Sequence, residues 1–306
     1  MPLTPPSTPA RPDNLAAMTF SIVARSDDGE SWAVAVASKF LAVGSAVPAA
    51  VAQVGAIATQ AHANVAYKGI ALSHLDEGAT APVALQRLLE EDDGRDHRQV
   101  GLVDVDGGAA SHTGSACIDW AGGLTGDGFA IQGNCLAGPD VVEAMRLSWE
   151  SGVETPFARR LLDALAAGDD AGGDKRGRQS AAILVVRDEA GYDAGDDVEV
   201  DLRVDDHADP VTELARLVDL NELYLTASTD AEQVPITDDL RAELEAFAEA
   251  AGQPDFHTWV GSENYEMRVD NDLAWIDQRI LDLVRGGAGA PGAPGAPAPG
   301  AVGGTE

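Results

Sequence analysis

Lysine is almost missing from this chain of 306 residues: only Lys39, Lys68 and Lys175 occur. Lys and Arg together number 20 against 51 Asp and Glu, a formal net charge of −31. Such a balance argues against nucleic acid as a partner, because phosphate contacts are made by Lys and Arg. An acidic, lysine-poor surface suits a halophilic source, where carboxylates keep a protein hydrated in strong salt. An ordinary acidic protein from a GC-rich genome would carry the same signature. Either way the charge describes the solvent and not the function. Cysteine is scarce too. Cys117 and Cys135 form no CxxC and have no clustered His beside them, which points to small buried thiols. Neither a disulfide framework nor a metal site is expected. No uninterrupted apolar run approaches the roughly 18 residues of a membrane span, so no membrane partner is expected. Residues 1–18 are proline-rich and lack the apolar stretch of a secretory signal, which makes the cytoplasm the expected compartment.

What is present is ample apolar matter, 45% of the chain, enough for one large domain with an accessory segment or two modest ones. TFSIVAR (19–25) and WAVAVAS (32–38) read as strands joined through the turn chemistry of SDDGES, hence a β-hairpin. VAQVGAIATQ (51–60) predicts a third strand, and APVALQRLLEED a helix within 64–92. QVGLVDVDGGAASHTG predicts a second hairpin turning at Asp106-Gly107-Gly108, and GFAIQGN (128–134) a strand ending in a polar loop. Helices are expected near 139–151 and 155–167, strands at 181–187 and over VEVDLRVDD, and a helix from Pro210 to about Leu225. Strands in pairs followed by helices in pairs suggest two sheets covered by helices, an α+β arrangement and not a doubly wound parallel sheet. From about 235 the character changes. Thr237 is placed to cap a helix over ITDDLRAELEAFAEAAG, and a second helix is predicted from about Asp270 to Arg285. Residues 235–285 thus form a small helical module, and the Gly/Ala/Pro-rich 286–306 reads as a disordered tail.

Six blocks in order, MTFSIVAR, AVASKFLAVGSAVP, GAIATQAHAN, AIQGNCLAGPDVVEAM, AGGDKRGRQSAAILVV and DLRVDDHADPV, resemble the family of unknown function DUF1028, which is placed in the N-terminal-nucleophile (Ntn) hydrolase superfamily. The resemblance covers roughly residues 18–222. The module around WVGSENYEMR resembles the domain labelled peptidoglycan-binding that often follows this family, a label of little functional weight. The resemblance implies a four-layer αββα sandwich over 19–225, with the nucleophile as the first residue of the mature domain. It implies no substrate.

A hydroxyl nucleophile needs a base, and in this superfamily the α-amino group of the same residue serves; its ordinary pKa of about 7.7–8.0 suits the task. The implied nucleophile is Thr19, which follows Met18 and opens the first strand. Residues 1–18 are then a mis-assigned start or a leader that is cleaved; otherwise Thr19 is simply a β-branched strand residue. Lys39 is the next candidate. A three-residue hairpin loop, Asp28-Gly29-Glu30, would set it opposite Thr19, where a cation would lower the amine pKa. A two-residue loop would put Ser38 there and turn Lys39 away.

For the oxyanion hole Asn134 and the Gly133 backbone are expected, since tetrahedral intermediates need preorganised donors. Gln60, Asn64 and Asp174 are expected on the substrate side, although turn chemistry would explain the asparagines equally. Arg176 and Arg178 pair as readily with Asp169 and Asp170 as with a ligand, and AGGDKRGRQS lacks the Walker spacing. Asp205, Asp206 and His207 fit the approach to the helix at Pro210 better than a metal. The expected activity is hydrolysis of a small-molecule amide, without cofactor, by a possible homo-oligomer. The alternatives are a non-catalytic binding or scaffold protein on the same fold and, more remotely, a cysteine hydrolase pairing Cys117 or Cys135 with His112.

Overall fold

The computed structural model describes residues 19–286. The expectations for 1–18 and 287–306 lie outside these residues. In chain order the elements are β1 (Thr19–Arg25), β2 (Ser31–Ser38), α1 (Val43–Ala46), β3 (Pro48–Val51), β4 (Gly55–Ala61), α2 (Ala66–Asp76), α3 (Ala81–Glu90), β5 (Arg98–Asp104), β6 (Ala109–Thr113), β7 (Gly122–Gly126) and β8 (Phe129–Gly133). There follow α4 (Asp140–Ser151), α5 (Phe157–Asp170), β9 (Ser180–Arg187), β10 (Val198–Val204), α6 (Pro210–Leu225), β11 (Gln233–Pro235), α7 (Asp238–Ala250), α8 (Phe256–Ser262), β12 (Trp275–Asp277) and α9 (Gln278–Val284). Two compact units divide at Ala215/Arg216, inside α6 and not after it.

In the first unit a six-stranded sheet runs β10-β9-β2-β1-β8-β7 and a four-stranded sheet runs β3-β4-β5-β6. Every pairing in both is antiparallel. Alternation along each strand decides what goes where. Val23, Val34 and Val36 of the larger sheet pack with Ala56, Ala58 and Val103 of the smaller one. The opposite faces of β4 and β5 present Ile57, Val100 and Leu102 to Ala71, Leu75, Ala84, Leu85 and Leu88, so α2 and α3 cover that sheet. The other side of the larger sheet meets α4 and α5. There Gly168 lets α5 approach α4 closely: a Cβ on it would lie 2.6 Å from Met145 Cγ. Each large apolar side chain buried in these layers contributes about 1.5–3 kcal/mol.

The structure departs from the sequence expectations at three places in this unit. The strand expected over 51–60 is broken by a turn at Ala52–Val54, where Gln53 takes φ 60° and the Val54 amide closes on the Val51 carbonyl at 3.2 Å. The stretch 64–92 holds two helices, the first with Tyr67, Ala71 and Leu75 buried at four-residue spacing. Gly-rich β7 forms an edge strand on β8 that composition alone disfavoured.

The second unit has its own core of Leu223, Leu244, Phe256, Trp259, Ile276 and Ile280. Thr237 caps α7 as expected, accepting from the Leu240 amide. The last helix is shorter than the sequence suggested, because Asp270 and Asp277 draw the chain into turns: Asp270 accepts from the Asp272 and Ala274 amides, and Asp277 caps α9 at Arg279. Asp277 is 0% exposed and accepts from Ser228 Oγ at 2.6 Å and from Arg268 at 3.0 Å. Burial alone would raise its pKa, but the bonds from Ser228 and Arg279 and the Arg279 charge hold it below the usual carboxylate range. A carboxylate depressed in the folded state adds stability above its unfolded pKa of about 3.9 and loses it as pH falls towards the folded value. The exchange protection of α9 amides should therefore weaken between pH 4 and lower values, and Asp277→Asn should flatten that acid dependence.

Candidate active site

Thr19 opens β1, the strand held between β2 and β8 in the larger sheet. Its partner across β2 is Ser38, whose own partner across β9 is Ser180, so three hydroxyl residues line up across one end of the sheet. All three are buried, Thr19 at 0% exposure. Thr19 Oγ1 donates to Ser38 Oγ at 3.1 Å. Ser180 Oγ accepts from the Val43 amide at 3.0 Å and donates to the Phe40 carbonyl, fixing the turn that leaves β2.

The expected pairing of Thr19 with Lys39 is corrected by the hairpin register. Arg25 lies opposite Trp32, and the Ser26 amide bonds to the Ser31 carbonyl at 2.9 Å, leaving the four residues 27–30 in the turn. An even loop sends Lys39 off the shared face. Lys39 is exposed, and its Nζ donates to the Arg178 carbonyl at 3.2 Å.

Behind Thr19 a polar network fills the gap between the two sheets. Gln60 Nε2 donates to the Thr19 carbonyl at 3.2 Å and to Gln99 Oε1 at 2.8 Å, while Gln60 Oε1 accepts from Ser21 Oγ at 2.7 Å. Gln132 Nε2 donates to Ser21 Oγ at 2.7 Å, and Gly101 makes room for it: a Cβ there would lie 2.0 Å from Gln132 Oε1. Gln99 Nε2 donates to Thr113 Oγ1, the Gly122 carbonyl and the Gly133 carbonyl at 2.9, 3.2 and 2.8 Å. Two of those acceptors are main-chain carbonyls, which fixes the orientation of the Gln99 amide. Its Oε1 is then the acceptor for Asn134 Nδ2 at 2.9 Å, and Asn134 is oriented in turn.

Asn134, 1% exposed, therefore presents an unexpected group. One of its N–H bonds is committed to Gln99, while Oδ1 is buried with no hydrogen-bond partner among the described residues. Its backbone amide donates to the Thr19 carbonyl at 3.0 Å, which makes it an immediate neighbour of the candidate nucleophile. The unmatched atom is an acceptor, where an oxyanion hole would need a donor. Gly133 offers its carbonyl to Gln99 and is the last residue of β8, paired with Phe20 and Gly122.

Asp174 is brought to the same end of the sheet as a clasp. Its carboxylate accepts from the Lys39 amide at 2.9 Å, the Arg176 amide at 2.9 Å and Arg176 Nη2 at 2.8 Å. Arg178 pairs with Asp169 at 2.8 Å, as the sequence allowed, whereas Arg176 takes Asp174. Burial raises the Asp169 pKa against the pull of Arg178. Asn64 is not joined to this group: its Oδ1 accepts from the Ala66 amide at the start of α2, and its Nδ2 reaches Asp92 at 3.5 Å.

The remaining candidates are also placed. His112 Nε2 sits 3.0 Å from the Arg95 carbonyl, and Cys117 Sγ donates to the Arg98 carbonyl. Burial pushes both thiols above their ordinary pKa, which disfavours a thiolate nucleophile. Asp206 accepts from Gln179, the Asp209 amide donates to His207 Nδ1, and the Asp205 carbonyl accepts from the Ala42 amide, all loop closures before α6. Among the described residues no group of three or more His, Cys, Asp or Glu could hold a metal ion, and no helix is long and apolar enough to cross a membrane. A groove of about 780 Å³ between α3 and the β6–β7 edges contains none of the candidate residues.

Ser21, Gln99 and Gln132 were not anticipated, and Ser38 only as the outcome of one register. The available signal was Ser or Gln at alternate positions of otherwise apolar strands, where a lone polar residue must find a partner across the sheets.

A family model described as a family of unknown function (DUF1028) matches residues 19–214. The crystal structure of a protein from Silicibacter pomeroyi, described under the same family, is similar at 31% identity and TM-score 0.61, over 72% of this chain and 95% of that one. No curated protein matches the sequence. The chain belongs to the DUF1028 family.

Proposed function

We propose that this DUF1028 member is an amide hydrolase of the Ntn type, with Thr19 as nucleophile in a chain that begins at that residue. The observation that carries the reading is a threonine hydroxyl at the head of a central strand, bonded to a second hydroxyl, with its carbonyl held by the Asn134 amide. The layers fit the αββα sandwich that the resemblance implies: α4 and α5, the six-stranded sheet, the four-stranded sheet, then α2 and α3.

In the reaction the freed α-amine takes the proton of Thr19 Oγ1 as the oxygen adds to the substrate carbonyl carbon. The tetrahedral oxyanion collapses, the C–N bond breaks, and the leaving amine takes the proton from the ammonium. Water then attacks the threonyl ester with the α-amine again as base, releasing the acid. Asn134 Oδ1, without a partner among the described residues, is available to accept from the transient ammonium. Asn134→Leu should lower kcat by about 10- to 100-fold with little change in KM, read by steady-state kinetics.

In the full-length chain the Thr19 nitrogen is in a peptide bond and the side chain is wholly buried. The mass of native protein should therefore begin at Thr19; turnover by protein that retains residues 1–18 would refute the proposal. The same burial favours one other reading, a non-catalytic binding protein with an inert hydroxyl. That reading expects ligand affinity to be unchanged in Thr19→Ala and no acylation by electrophiles.

A further inference from the structure

Resting on that hydrolase reading, we infer that the substrate is anionic, an amide carrying a carboxylate that is met by Lys39 and Lys175 on either side of Thr19. β1 starts between the end of β2 and the end of β8, so whatever approaches the Thr19 nitrogen passes between those two strand ends. The loop 172–178 spans both ends. Its Asp174 carboxylate takes the Lys39 amide just beyond β2, and its Lys175 amide bonds the Cys135 carbonyl just beyond β8 at 3.1 Å. Leu136 and Asp174 form a further bridge.

Two of the three lysines in the chain thus stand on the strand ends that flank Thr19. Both are exposed. Neither has a carboxylate within ion-pair reach among the described residues: Lys39 Nζ donates to the Arg178 carbonyl at 3.2 Å, and Lys175 Nζ to the Asp119 carbonyl at 2.8 Å. The arginines of the same loop are already neutralised, Arg176 by Asp174 and Arg178 by Asp169. In a chain with 51 acidic residues, two ammonium groups without an ion-pair partner among the described residues, on the strand ends beside Thr19, add positive charge against a negative background. A neutral amide gains nothing from that charge, and a cationic one is repelled. A carboxylate on the acyl or amine part of the substrate is drawn in, and its approach strengthens as salt is lowered.

The test uses matched probes on the purified protein: the succinyl and butyryl amides of 4-nitroaniline, and the butyryl amide of 4-aminobenzoate. Their binding is measured by calorimetry at low salt on wild type, Lys39→Gln, Lys175→Gln and the double variant. Glutamine removes the charge and keeps an N–H donor on a side chain one atom shorter. One of the two acidic probes should bind on the order of tenfold more tightly than the neutral amide, and the double variant should lose that preference. Lys39→Arg with Lys175→Arg should restore it. Equal affinity for all three probes, or a preference untouched in the double variant, would overturn the inference. Acylation of Thr19 by a neutral β-lactone, read by mass in the same samples, reports on the hydrolase reading separately. Labelling without charge preference sinks only the substrate class; charge-selective binding without labelling sinks only the nucleophile.

Discussion

Thr19→Ala should yield a folded protein that neither turns over amides nor takes an acyl group from a β-lactone. The expected loss in kcat/KM is at least about 10³-fold, because removing the only attacking atom leaves binding and electrostatics to do what they can. The fold should tolerate the change. Thr19 Oγ1 makes one hydrogen bond to Ser38, and the carbonyl bonds that hold the residue belong to its backbone. A cost of about 1 kcal/mol is expected, visible as a small shift in Tm. Thr19→Ser should keep a measurable fraction of activity, since it keeps both the oxygen and the amine. Circular dichroism with a turnover assay separates the outcomes: full activity in Thr19→Ala excludes the mechanism, and an unfolded variant is replaced by Thr19→Ser for the comparison.

The second large effect concerns stability. Gln99→Leu should destabilise the first unit by about 3 kcal/mol or more, because a buried network loses its hub while its other members stay in place. Gln99 accepts from Gln60 and Asn134 and donates to Thr113 and two main-chain carbonyls. Leucine fills the space and satisfies none of them. Against a typical total of about 5–15 kcal/mol this is a large share, and at about 2–4 °C per kcal/mol it lowers Tm by roughly 6–12 °C. Leucine at exposed Gln86 provides the control, with a change inside about 0.5 kcal/mol. A Tm within about 2 °C of wild type for Gln99→Leu would show that the network is dispensable.

Much of the framework could be read from the residues. The first hairpin, β5 with β6, β8, α4 to α6 and the cap at Thr237 all follow from alternation, turn chemistry and capping, which act within a few residues. What escaped depends on partners distant in sequence. β7 is three glycines in five residues, and it is a strand because β8 offers it an edge. The turn at Ala52–Val54 splits an apolar run that read as continuous, since nothing in it but Gly55 marks a break.

The candidate site shows the same division. Thr19, Gln60, Asn134 and Asp174 do converge on one end of the larger sheet, but their roles turn on registers and orientations. Whether Lys39 or Ser38 faces Thr19 is decided by one residue of loop length. Which way the Asn134 amide is turned is decided by Gln99, thirty-five positions earlier. Asn64, a similar residue in the sequence, serves the start of α2 and reaches Asp92 instead.

The Thr19 carbonyl is gripped twice, by the Asn134 amide and by Gln60, and neither grip involves the nitrogen. Severing the bond to Met18 leaves both of these bonds in place. A trimmed chain would have its attacking oxygen at the same address before and after the cut, and activity should appear at the pace of the trimming itself, with no slower rearrangement behind it.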